Sequence, residues 1–426
     1  MHLSKIFALT LLLVITGNQL LAQSPADRSA EVTAVLRGHT KSIQQIQFSH
    51  SGEMVATSGD DGTVRLWRTA TGESLTTIAM DHGSDVHKIR WSSDDRLLAI
   101  SYRNKKHWEL AVWEVPHGQR PIISHRVEYV YFLEWSPKAD TFLTVDDDSK
   151  LQIWDVFSKQ PVRTIDAALA DDQPYSVSFV ADGQRILTAS GDQPAHVWDT
   201  ATGKLLDTYP PNTQIPGFTY PSGGVPVLSL DKRFLISGNA NIHETATGRL
   251  LSSIAGKAGP VSFSPDGQNV LTLSTDVDQK SRHRQSYLRV QKVHSGEELS
   301  VFQVPEGVDD IIWSPDGKTM AIVGLTFHTR IIDATTGREN GRLPYPNCWP
   351  WTMCGSDGCE PIRFSANGET LFKEIEPIKL WDASTVSLVT VLKGARLPAI
   401  FSPTDGRLLA TRSKDKKIAL LWRLKR

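Results

Sequence analysis

An all-β chain, closed into a ring of repeated four-stranded units, is the fold class the sequence predicts, on three observations. Tight-turn residues recur at near-regular intervals along almost the whole length. Between them lie short apolar runs of strand length, alternating or compact. Beyond residue 22, no segment holds a sustained helical period. Nine units spaced 41 to 49 residues apart tile residues 31–426. Four short strands per unit, repeated in this way, is the economy of a single closed β-propeller.

The first 22 residues stand apart. Lys5 precedes the apolar run IFALTLLLVITG, and the segment ends NQLLA at Ala22, which is the layout of a secretory signal peptide. The run is too short for a bilayer core, which takes about 20 apolar residues. Leu20 is bulky for a position two before a cleavage site, so a retained anchor is the alternative to a cleaved signal. Residues 23–30 read as a short linker and 31–426 as the propeller domain. Export places the chain in the periplasm or the medium, an oxidising compartment with no membrane attachment after cleavage. A formal net charge of −1 leaves no electrostatic footprint for nucleic acid.

The first unit is LRGHTKSIQQIQFSHSGEMVATSGDDGTVRLWRTATGESL, residues 36–75. IQQIQFS and VRLW alternate, and MVATS is a compact run between turns. The turns SHSGEM, SPDGQN, SPDGKT and SANGET supply Gly, Asn and Asp where hairpins need positive φ. Aligning them with the later TATG turns places one equivalent position at Trp67, Trp113, Trp154, Trp198, His243, Gln291, Ile332, Trp381 and Trp422. The sequence ends in LLWRLKR, just after the third strand of the ninth unit, while TAVLR (33–37) precedes the first unit without strands of its own. TAVLR therefore supplies the outer strand of the last blade and closes the ring. Eight blades, with the fifth or ninth unit absorbed elsewhere, is the alternative.

These residues resemble the WD-repeat β-propeller family, in an exported, bacterial-type form, over nearly all of the chain beyond the leader. Gly38-His39 opens the first unit, and Trp154-Asp155, Trp198-Asp199 and Trp381-Asp382 are literal Trp-Asp dipeptides. The resemblance implies a buried tetrad of His, Ser/Thr, Asp and Trp. Its matching residues are His39, Thr57, Asp61 and Trp67 in unit one. Units three and four keep Thr144, Asp148 and Trp154, and Thr188, Asp192 and Trp198. Units five to seven, lacking the Trp, are expected to hold together by apolar packing alone. The resemblance also implies a platform that binds a protein or peptide partner.

In such a ring the loops from second to third strand, and from fourth strand to the next first, share one face, here the top. The bottom turns are nearly uniform, and the length variation lies on top, in 102–109, 209–224, 275–286 and 344–361. Loops on a rigid scaffold are where function concentrates. Arg103, Lys105, Lys106, Arg282 and Arg284 offer partners to an anionic peptide, and Trp108, Trp349 and Trp351 offer anchors.

The last of these loops holds all three cysteines, Cys348, Cys354 and Cys359. Cys354 and Cys359 flank GSDG, a turn able to bring Cα atoms within the about 4.4–6.8 Å a disulfide tolerates. Pairings of Cys348 with either remain open. A metal would need a fourth Cys or His, and a nucleophilic cysteine a paired base; neither is apparent, and no metal or cofactor is expected. No G-x-S-x-G, phosphate-loop or H-E-x-x-H motif occurs. The expected function is a non-enzymatic, exported interaction scaffold with its partner on the top rim. The alternative is an enzyme or a cofactor- or ligand-binding propeller, marked by polar side chains of several blades meeting at the top mouth of the channel.

Overall fold

The computed structural model describes residues 30–80, 84–138, 140–146, 148–166, 176–189, 194–209, 227–237, 240–254, 261–277, 284–304, 308–324, 328–343, 362–373 and 376–425. The leader-like residues 1–22 lie outside them. The described residues form nine antiparallel sheets of four strands each. Eight run in chain order, beginning with blade one: Ile43–Phe48, Met54–Gly59, Thr63–Arg68 and Ser74–Ala79. The ninth has the order Ala30–Leu36, Ala419–Leu424, Leu408–Ser413, Ala395–Phe401, so the first strand of the chain is the outer strand of the last blade. This is the nine-bladed propeller that the repeat count predicts, with its ring closed as expected.

The first strands of neighbouring blades touch: Ile43–Phe48 meets Asp85–Trp91, which meets Val130–Trp135, and Ile43–Phe48 meets Ala395–Phe401. They therefore stand nearest the axis, while fourth strands face outward; in Gln160–Asp166 only Ile165 is buried. A β-bulge recurs in these inner strands, between Ile43 and Gln45, Val86 and Lys88, Val130 and Phe132, and Val308 and Asp310. The extra residue leaves two adjacent side chains part-exposed, as with His87 and Lys88 or Tyr131 and Phe132, where simple alternation would bury one.

The apolar side chains gather between blades. Ala56, Val64 and Leu66 of blade one pack with Val86, Ile89 and Leu98 of blade two. Leu143, Leu151 and Ile153 of blade three pack with Val177, Phe179 and Ile186 of blade four. Leu36 and Ala34, from the closing strand, sit with Ile43, Val55 and Trp67 of blade one and Leu408 and Leu421 of blade nine. Across the same seam Arg412 Nη1 donates to Ile43 O at 2.8 Å.

The uniform bottom turns are a repeated piece of hydrogen bonding. Ser264 Oγ donates to Asp266 Oδ1 at 2.6 Å and accepts the Asn269 N–H at 2.9 Å, and Gly267 takes φ +67°. Ser314 and Asp316 repeat the arrangement at 2.6 Å. The Asp of each Trp-Asp pair serves the other bottom turn: Asp199 Oδ1 accepts from both N–H and Oγ1 of Thr202, at 2.7 and 2.6 Å. Those bonds hold its carboxyl below the usual range.

One top loop is shorter than the sequence suggests. Strands Leu97–Arg103 and Trp108–Glu114 run on into the segment 102–109, leaving a turn of 104–107 only. Long paired strands, rather than an irregular loop, account for the extra length.

Leu36 is fully buried at the closing seam. Leu36→Ala is expected to lower stability by about 2–5 kcal/mol. The outer-strand change Leu206→Ala, at a side chain 43% exposed, is expected to stay within about 0.5 kcal/mol. Urea midpoints of the two variants against the parent check the difference.

Candidate functional site

In blade one the structure brings His39, Thr57, Asp61 and Trp67 together. Trp67 Nε1 donates to Thr57 Oγ1 at 2.9 Å, and Thr57 Oγ1 lies 2.8 Å from His39 Nε2. His39 Nδ1 lies 3.0 Å from Asp61 Oδ1. Burial lowers the pKa of His39, against the opposing pull of Asp61. The neutral ring then donates through Nδ1 to Asp61 and accepts the Thr57 hydroxyl at Nε2, so the network is one directed chain. Burial alone would raise Asp61, but Thr63, the Thr40 N–H and His39 outweigh it and hold the carboxyl at about 2. Gly59 makes room: a Cβ there would sit 2.6 Å from His39 Nδ1.

The strand register carries the Thr57 position to Ile100, Thr144, Thr188, Ser237, Thr272, Ile322, Lys373 and Thr411 in the other blades. Trp154, Trp198 and Trp422 donate to Thr144, Thr188 and Thr411, each at 2.9 Å. Thr411 escapes a reading of the sequence because it stands eleven residues before its Trp, where the others stand ten. Trp113 Nε1 is buried without a partner among the described residues, and Ile100 occupies the position where a hydroxyl would meet it.

Two expectations for this network need correction. Asp148 does not join it: its side chain is 64% exposed and pairs with Lys150 at 3.0 Å. Blade three has no histidine in its opening turn to offer an N–H, and Asp146 takes the turn's backbone donors instead. Blades five and six do not rely on apolar packing alone. His243 Nδ1 meets Gly248 O at 3.3 Å while its Nε2 meets Ser237 Oγ at 3.4 Å, and Gln291 Nε2 donates to Gly296 O at 3.3 Å. Only Ile332 of blade seven is purely apolar at this position. Asp192 lies outside the described residues.

On the top rim Arg103, Lys105 and Lys106 are exposed around the 104–107 turn. Asn104 orders that turn, its Oδ1 accepting the N–H groups of Lys106 and His107 at 2.9 Å each. Trp108 is half-buried in a ring cluster with centroid separations of 5.6 Å to His87 and 4.8 Å to Tyr129; Tyr129 lies 4.6 Å from Tyr131. The Arg103 guanidinium stands 5.9 Å from the Trp108 ring. In the sequence Tyr129 and Tyr131 show only as two tyrosines flanking a valine. Arg284 begins the third strand of blade six, opposite Val277. Arg282, Trp349, Trp351, Cys348, Cys354 and Cys359 lie outside the described residues.

A cavity of about 500 Å³ opens in the channel wall. Lys88 and Arg90 of blade two, Tyr131, Phe132 and Glu134 of blade three and Lys232 of blade five line it. Glu134 joins three blades: Lys232 Nζ donates to its Oε1 at 2.5 Å, and Ser178 Oγ of blade four at 3.1 Å. His50, Ser93 and Lys232 come from bottom turns. In this cavity the polar side chains of several blades converge toward the bottom, on the face the sequence marks as uniform. Among the described residues no group of three His, Cys, Asp or Glu is placed to hold a metal ion, and no helix is long and apolar enough to cross a membrane.

A model of the family described as WD domain, G-beta repeat matches residues 30–68 and 119–155. Two stretches of the chain thus match the WD40 repeat. One matched segment begins on an outer strand and the other in the turn just before one, and both end on the third strand of the following blade, so each match straddles two blades. Among curated relatives, WD repeat-containing protein srw1 of Schizosaccharomyces pombe is 22% identical over 275 residues, 61% of this chain and 48% of that one. Angio-associated migratory cell protein of Homo sapiens is 25% identical over 182 residues, 41% of this chain and 39% of that protein. The chain thus spans between a third and a half of these relatives, and both are eukaryotic, which lends the bacterial-type expectation no support. Among solved structures, the computationally designed Ika8 protein superposes with a TM-score of 0.52 at 15% identity, over 92% of this chain and 99% of that one. That likeness concerns the fold alone.

Thr144→Val leaves the buried Trp154 indole N–H without an acceptor and is expected to cost about 1–3 kcal/mol. Ile100→Val, where the neighbouring indole already lacks one, is expected to cost about 0.5–1.5 kcal/mol by packing loss only. Denaturant midpoints decide between them. Asp61 has its folded pKa, about 2, below the ordinary value of 3.8. Its contribution is therefore full above about pH 4 and is lost as pH falls toward 2. Stability of Asp61→Asn, followed by urea unfolding from pH 5 to 2, is expected to be lower than the parent at pH 5 and to fall less steeply.

Proposed function

We propose that the chain is a non-catalytic, exported scaffold that binds an acidic protein or peptide segment on the top rim of blades two and three. The observation that carries this reading is the half-buried Trp108–Tyr129 cluster set among the exposed cations Arg103, Lys105 and Lys106. Aromatic anchors beside arginine are what interface hot spots favour, and a rim of cations selects a partner of opposite charge. The bonds of Asn104 pre-order the turn, so little conformational entropy opposes binding there. The WD40 repeats support a platform role at the level of family only. Export rests on the leader-like residues 1–22, and the same compartment would oxidise a Cys354–Cys359 pair. Arg282, Arg284, Trp349 and Trp351 belong to the same reading, as further contacts from the blade-six and blade-eight loops.

A photo-crosslinker placed at Lys106, and in a second preparation at Lys204 in a bottom turn, tests the face. A partner captured from 106 and not from 204 supports the rim; capture from 204 alone overturns it. Trp108→Ala is expected to weaken capture by at least about 2 kcal/mol, or roughly thirtyfold. An unchanged capture would remove Trp108 from the interface.

A further inference from the structure

We propose that the channel cavity binds a small organic anion, whose carboxylate or phosphate oxygens are held by Lys88 and Arg90. The inference is independent of the rim. The described lining of the cavity carries three cations besides His50, namely Lys88, Arg90 and Lys232, and one carboxylate, Glu134. Glu134 is already engaged by Lys232 at 2.5 Å and by Ser178 at 3.1 Å. His50 is paired with Asp95 at 3.0 Å. Lys88 makes no hydrogen bond or ion pair among the described residues, and the Arg90 hydrogen bond goes to the carbonyl of its neighbour Ile89, at 2.9 Å. Two nearby cations of one strand thus face a cavity whose one described carboxylate, Glu134, favours the Arg90 charge at a distance but accepts its hydrogen bonds from Lys232 and Ser178.

The blade does not require them. The same register positions in blade one hold Gln45 and Gln47, and in blade seven Asp310 and Ile312. Nor are these cations freely hydrated: burial lowers the pKa of both, and the Arg90 charge adds to the lowering at Lys88. Partly desolvated like charges side by side are unfavourable unless an anion compensates them. The geometry suits one. Arg presents a planar fork to two oxygens, Lys a single compact charge, and Tyr131 and Phe132 give an apolar wall for a carbon body. A volume of about 500 Å³ lies within the range of small-molecule sites, roughly 300–1,000 Å³.

Isothermal titration of the full chain at low ionic strength, with citrate and with inorganic phosphate as separate titrants, tests the site. Saturable binding of at least one is expected, weakened at least about tenfold by Lys88→Met and by Arg90→Met and weakened by added salt. Citrate binding tighter than phosphate assigns a carboxylate ligand, and the reverse order a phosphate. Glu134→Gln is expected to tighten binding, because it removes the one negative charge and frees Lys232. Leu206→Ala, on the outer strand of blade four, is expected to leave the affinity unchanged. No saturable binding of either anion, or equal affinity in Lys88→Met, overturns the proposal. If Lys88→Met does not fold, the Glu134→Gln titration decides, and absence of tightening overturns it.

Discussion

The burial of apolar side chains between blades, rather than within them, is the constraint on which the structure depends. A four-stranded sheet has two faces, and each here finds its cover only in a neighbour. A single repeat is therefore marginal, and stability accrues with the next. At the ends of a linear array two faces would stay bare. Pairing Ala30–Leu36 with Ala419–Leu424 removes them, placing Leu36 in the same cluster as residues of blades one and nine. The offset of the WD40 repeat from the blade, by one strand, is the sequence form of that solution.

Around this frame the hydroxyl–indole bond is a local reinforcement that can be lost without loss of the blade. Blade two keeps the Trp and lacks the hydroxyl, blade five keeps the hydroxyl and presents a histidine, and blade seven has neither. Each still forms its sheet, because inter-blade burial supplies the larger stabilisation. That hierarchy explains why the repeat is recognisable in some units and worn in others.

The fold was legible because its signals are local. Turn triplets such as Ser264-Pro265-Asp266 and the spacing from Thr to Trp lie within one hairpin, where short-range chemistry decides geometry. What was not legible depends on contacts between distant residues. The Glu134–Lys232 pair joins residues 98 apart, and nothing in either neighbourhood announces the other. Lys88 and Arg90 read as ordinary strand polar residues until the bulge before Lys88 and the neighbouring blades define a cavity around them. Asp148 misled for the opposite reason: the local pattern fits, but the histidine that would use it is missing. The rim lies between these cases, since its charges were visible and its Tyr129 partner was not.

The closing ladder also fixes how the molecule responds to force. Ala30 pairs with Leu424, so the chain enters and leaves the domain at the same end of one antiparallel pair. Tension applied across residues 30 and 424 loads those hydrogen bonds one after another, as in opening a zipper, rather than all together in shear. The seam that closes the ring is thus the line such tension loads first, and opening it would uncover the cluster shared by blades one and nine.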